Sequence, residues 1–222
     1  MHPAVAVFAV TYSVASIDAL MSLEPHWTST IYALLTLAGL GLSGLAAATI
    51  VVVLLRRAGP GRAAASDDLL HDLGTLLFSL AMFWGYVRFC QSMLLWYTNI
   101  PEEVTWLVAR QGGGWGALVV VNALLNCGIP FVVLLFRGAR RSEKALLRVA
   151  SIVLVGRVTD LFVLGGPALP GCAQGPALGA LLPPLGALGL FGWLLVRALA
   201  RGEAPETATD GAPAAGGAAS PF

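Results

Sequence analysis

HDLGTLLFSLAMFWGYVRFCQSMLLWYTNIPEEVTWLVAR, residues 71–110, decides the fold. Its first part reads as a helix of Leu, Phe, Met and Trp that carries a row of polar side chains. It leaves the membrane through the aromatic, amide-bearing end WYTN and closes in IPEE, a proline-marked turn with paired carboxylates. At about 100° per residue, Asp72, Thr75, Ser79, Tyr86, Cys90 and Tyr97 fall within an arc of roughly 60°. From Asp72 to Tyr97 this stripe rises about 37 Å, enough to cross a hydrocarbon core of about 30 Å and reach both interfaces. Arg88 and Gln91 occupy a different face, three residues apart. An arginine within a span is costly, so Arg88 is expected to face protein or trapped water and to have an acidic partner.

Composition sets the class independently of that stretch. Apolar residues make up 57% of the 222-residue chain and charged residues 11%, with a mean hydropathy of +0.80. Those values belong to an integral membrane protein. The net charge of +1 says nothing about partners, and with no basic patch large enough for nucleic acid no such partner is expected. Cys90, Cys127 and Cys172 are scattered, with no CxxC or CxxCH, which removes the usual support for disulfide, iron-sulfur or covalent haem chemistry.

Outward from the central stretch, the pattern predicts an all-α polytopic bundle of about six spans, at 4–22, 31–55, 69–97, 115–136, 146–165 and 176–200, followed by a disordered Ala/Gly/Pro-rich tail at 201–222. The first span resembles a signal peptide in length, but it has no basic n-region and carries Asp18 near its end. Asp18 reads either as an interfacial cap or as a buried proton-carrying carboxylate. GLGLSG at 39–44 matches a dinucleotide fingerprint letter for letter, yet it lies in mid-membrane without a preceding strand, so its glycines are read as places of close helix approach. Ser66 is placed as the cap of the third helix, with Asp67 and Asp68 in its first turn. His71 beside Asp72 could load protons at the foot of the polar stripe. Asn122 and Asn126, at i and i+4, can bond each other, and Pro130 frees the Asn126 carbonyl and disturbs the helix there. Arg157 and Asp160 are spaced for an intrahelical ion pair.

Arginines cluster at 56–62, 137–148 and 197–201, whereas the opposite loops hold only Arg110. The basic side is therefore expected to be cytoplasmic, with both termini inside. In that topology Asp18, Arg88, Arg157 and Asp160 all lie in the outer half of the membrane, which suggests a polar pocket approached from the inner face along the stripe. His26 and His71 fall on opposite sides and His2 is terminal, so no axial pair for haem presents itself.

HDLG, FWGY and QSMLLWYTNIPEE, together with DALMSLEPHWTSTIY at 18–32, resemble the NrfD-like integral membrane subunits of alternative complex III, the bacterial quinol:electron-acceptor oxidoreductase. The likeness is greatest to the second such subunit, quinone-binding subunit 2, and covers about residues 11–167, the C-terminal half of a family with about ten spans in two four-helix bundles. Arg88 and Cys90 depart from it, since relatives carry a small residue and serine there. A site built by the first bundle is then expected to be absent or supplied by another polypeptide.

The resemblance implies a subunit of the bacterial cytoplasmic membrane, with menaquinone or ubiquinone as substrate. It implies three kinds of partner: a second NrfD-like subunit, an iron-sulfur subunit and multihaem cytochromes. It also implies quinol oxidation coupled to proton movement. Under that expectation Asp18, His71, Asp72, Tyr86, Tyr97 and Asp160 form a proton pathway, and Arg88, Gln91 and Arg157 form a pocket that could take quinone. The competing readings are a structural or assembly subunit, in which the polar residues only fasten helices, and a small stand-alone transporter.

Overall fold

The computed structural model describes residues 3–19, 21–24, 27–58, 66–169, 172 and 175–176, and scattered positions between 186 and 197. Most of the expected sixth span, the tail at 201–222, and His2, His26, Arg62 and Arg201 lie outside the described residues. All regular structure among the described residues is helical. The helices are α1 (Pro3–Ala19), α2 (Tyr32–Ala58), α3 (Asp67–Thr98), α4 (Pro101–Ala109), α5 (Trp115–Ala123), α6 (Ile129–Leu134), α7 (Arg137–Arg140) and α8 (Glu143–Gly165).

Four stretches are long and apolar enough to cross a membrane: Pro3–Leu23, Tyr32–Arg57, Asp67–Thr98 and Trp115–Leu134. The chain is thus an all-α integral membrane protein, with four such spans among its described residues where about six were expected. The expected fifth span is a 23-residue helix, α8, but Arg148, Arg157 and Asp160 make it more polar than the other four. In the second compact unit, Leu185–Phe222, the described positions Gly186, Gly189, Leu190, Gly192, Trp193, Leu194 and Arg197 are helical, and the Arg197 guanidinium lies 5.0 Å from the Trp193 ring centroid.

Helix α2 is the hub of the first unit and packs against α1, α3 and α8, while α5 lies on α8 and α6 on α3. The shared core is aliphatic, with Leu35, Leu42 and Val53 of α2 against Leu77 and Ala81 of α3 and Val149 and Val153 of α8. Its two ends differ in chemistry. At the basic end, Arg56 pairs with Asp67 at 2.6 Å and with Glu143 at 2.8 Å, tying the foot of α2 to the starts of α3 and α8. Ser66 caps α3 as expected, accepting from Leu69 N at 3.2 Å. At the aromatic end, Trp27 stacks on Trp106 with centroids 4.7 Å apart, and Trp115 heads α5. Asn99, in the left-handed region at φ 48°, ends α3, and Pro101 in the first turn of α4 makes the proline-marked IPEE turn the start of a nine-residue helix.

Trp115–Leu134 is one rod interrupted by a π-turn at Leu124–Gly128. Pro130 has no N–H to give the Asn126 carbonyl and its ring clashes there, so the ladder lengthens by one residue and Ile129 N donates to Leu124 O. The disturbance expected from Pro130 takes this form.

Candidate functional site

The π-turn presents Asn126 toward α8, and a chain of polar contacts begins there. Asn126 Nδ2 donates to Asn122 Oδ1 at 2.6 Å, the i, i+4 contact anticipated from their spacing. Asn122 Nδ2 donates to Asp160 Oδ1 at 2.7 Å, and Arg157 Nη1 donates to Asp160 Oδ2 at 2.7 Å. Asp160 is fully buried, with both oxygens engaged. The expected intrahelical ion pair is therefore present, as the end of a network that links α5 to α8.

Two glycines make room for it. A Cβ at Gly39 on α2 would fall on the Arg157 guanidinium, and one at Gly156 would meet Asn126 Nδ2 at 2.7 Å. Close approach thus explains Gly39, whereas Gly41 and Gly44 have open space around them. Trp84 of α3 closes the side, its ring centroid 5.5 Å from the Arg157 guanidinium carbon.

Arg88 lies within electrostatic reach of Asp160, Arg157 and Tyr32, with its guanidinium 5.7 Å from the Trp106 ring centroid. No carboxylate pairs with it among the described residues. This corrects the expectation of an acidic partner: Arg157, one helical turn away on the same helix, already holds Asp160. Nor do Arg88 and Gln91 build one pocket with Arg157. Arg88 lines a crevice between α3 and the π-turn, while Gln91 lines a separate cavity of about 420 Å³ with Ile17, Met21, Thr28, Ser29, Leu94 and Glu103 among its walls. Gln91 is 1% exposed, and neither Oε1 nor Nε2 has a hydrogen-bond partner among the described residues.

The polar stripe of α3 turns outward. Asp72, Ser79, Tyr86 and Tyr97 are exposed, Tyr86 by 66% and Tyr97 by 79%. Thr75 and Ser79 spend their hydroxyls on carbonyls one turn back. Asp18 is likewise exposed on α1, and His71 is half-buried with Nδ1 unpartnered among the described residues. Of the six residues expected to form one inward-facing path, Asp160 alone sits in the bundle centre. The inward face of α3 is instead Leu70, Gly74, Leu77, Ala81, Trp84, Val87, Gln91 and Leu95.

Sequence reasoning also passed over a clasp at the aromatic end. Arg110 is 2% exposed and donates to Val163 O at 2.9 Å, Leu164 O at 2.6 Å, Trp106 O at 2.9 Å and Glu24 Oε1 at 2.8 Å. It caps the last carbonyls of α8 while joining α4 to the loop before α2. Burial pushes its guanidinium below the ordinary value, and the Glu24 hydrogen bond pulls it back. The available signal was charge isolation, since Arg110 stands apart from the arginine clusters of the sequence and EPHW supplies Glu24.

Among the described residues no three His, Cys, Asp or Glu side chains come together as a metal site. Fold and site define an integral membrane protein with a charged, hydrogen-bonded centre inside a helical bundle. No protein-family model matches the chain, and no curated protein matches it.

Proposed function

We propose that the chain is a membrane subunit of a respiratory quinol oxidoreductase of the alternative complex III type, and that the cavity over Gln91 takes the quinone ring. The observation that carries this reading is Gln91: a buried amide whose donor and acceptor are both unspent among the described residues, at a cavity lined by hydroxyls, a carboxylate and aliphatic side chains. A quinol ring needs that combination, because its oxygens exchange hydrogen bonds with an amide while its isoprenoid tail needs an apolar exit. Glu103 at the cavity is the group suited to take a proton as the quinol is oxidised, and the electrons leave to redox centres of partner subunits.

The fold supports a proton role through Asp160 alone of the six residues expected to share it. In this reading α8 crosses the membrane and hides its charges in the bundle. The basic end faces the cytoplasm. The outward stripe from Asp72 to Tyr97 meets another subunit.

The test is purification of the tagged full chain from its native membrane in mild detergent. Co-purification with haem-bearing chains and an iron-sulfur protein is expected, together with quinone binding that Gln91→Leu weakens. Recovery of the chain alone, with no quinone affinity, would sink the proposal and favour a stand-alone transporter. A structural subunit is the second reading, favoured by the Asn126–Asn122–Asp160 network, which fastens α5 to α8. Unchanged proton coupling in an assembled complex carrying Asp160→Asn would support it.

A further inference from the structure

The buried centre is not electrically balanced. Among the described residues, Arg88, Arg157 and Arg110 face only Asp160 and Glu24 within their mutual reach. Glu24 is held by Arg110, and Asp160 by Arg157 and Asn122. Arg88 is left over, with no hydrogen bond from its guanidinium to any described residue and with Nη1 sealed from solvent. A cation placed so within a span calls for an anion.

Arg88 lines a crevice of about 420 Å³ between α3 and the π-turn. Trp84, Phe89, Val119 and Leu124 form apolar walls, and Asn122 and Ser92 add polar points beside Arg88. Cys127 lies at the crevice too, against Gly85, where a Cβ would meet its Sγ at 2.6 Å. Depth fits an amphiphile. Arg88 lies ten residues before the end of α3, about 15 Å along the axis, and α3 overhangs a 30 Å core by about 9 Å at each end if centred. The guanidinium is then about 6 Å inside the hydrocarbon boundary, within reach of a head group seated at the aromatic interface.

We infer that the crevice between α3 and the π-turn is a binding site for an anion-headed acyl amphiphile, its carboxylate or phosphate on Arg88 and its chain lying past Gly85 and Cys127. The site is separate from the Gln91 cavity and does not depend on quinone.

Cys127 supplies the readout. In the full-length chain with Cys90→Ser and Cys172→Ser, reconstituted in phosphatidylcholine nanodiscs, the rate of Cys127 modification by N-ethylmaleimide is measured with oleate, with oleyl alcohol, and with phosphatidylglycerol in the disc. At oleate about ten times its Kd the rate should fall about tenfold, as simple occupancy requires, and oleyl alcohol should leave it unchanged. Arg88→Gln should abolish the protection and Arg88→Lys should keep part of it. Protection by phosphatidylglycerol but not oleate would support the site and assign the head group as a phosphodiester. The inference is overturned by equal protection from the alcohol, by no protection from either anion, or by undiminished protection in Arg88→Gln. Should Arg88→Gln fail to fold, the contrast between acid and alcohol in the parent protein still decides.

Discussion

Arg110 Nη2 donates both to Glu24 Oε1 at 2.8 Å, across the aromatic end of the bundle, and to Leu164 O, while Nε donates to Val163 O, so the guanidinium covers the last carbonyls of α8. One side chain therefore joins three segments that are distant in sequence. Arg110→Ala would leave the Val163 and Leu164 carbonyls and a carboxylate unpaired, and should destabilise the protein by about 3 kcal/mol. Arg110→Lys should recover only part of that, since an ammonium cannot present the same fork. Glu24→Gln should cost less than either. Thermal unfolding in detergent, followed by tryptophan fluorescence, checks the order.

Asp160 holds the opposite balance, one carboxylate between an amide and a guanidinium. Asp160→Asn strands Arg157 beside Arg88 and should cost about 3–5 kcal/mol. Replacing the pair together, as Arg157→Met with Asp160→Leu, should be less destabilising than Asp160→Asn alone, because no unpaired charge remains in the bundle. A double-mutant cycle on chemical unfolding measures the difference.

Gly39 and Gly41 lie two residues apart in the same helix with different surroundings. Gly39→Val drives a side chain into the Arg157 guanidinium and should disrupt the ion pair nearly as severely as Asp160→Asn. Gly41→Ala meets open space and should stabilise slightly, by about 0.5 kcal/mol, through helix propensity. Comparable losses from both would contradict the packing described for α2 against α8.

The outward stripe makes a prediction about access. Spin labels at Tyr86→Cys and Tyr97→Cys in the isolated, reconstituted chain should both be mobile, the first strongly relaxed by a lipid-soluble collider and the second, beyond the hydrocarbon boundary, by a water-soluble one. A label at Leu77→Cys should be immobile. Asp72→Asn, Tyr86→Phe and Tyr97→Phe should each leave stability within about 0.5 kcal/mol. A buried, immobile label at position 86 would restore the inward path that the sequence suggested.

Much of the fold was legible because membrane spans announce themselves by length and hydropathy, and because Ser66, Pro130 and the Arg157 to Asp160 spacing act locally. The facing of α3 was not. In a soluble helix the polar stripe marks the solvent side, but in a membrane both faces are apolar, and Thr75 and Ser79 can satisfy themselves on their own helix. The true inward face is marked by Gly74, Ala81 and Trp84, whose shapes fit neighbouring helices and leave no periodic polarity to read. Partner choice was equally hidden: two guanidiniums compete for Asp160, and chain proximity rather than residue type settles it for Arg157.

The central claim is that the quinone ring sits over Gln91. The most direct measurement is photolabelling of the full-length protein with an azidoquinone, followed by peptide mapping. Label on peptides bearing Thr28, Gln91 or Glu103, displaced by excess quinone and reduced in Gln91→Leu, is the predicted result. Label spread along the lipid-facing residues of the spans, indifferent to competitor and to Gln91, would contradict it.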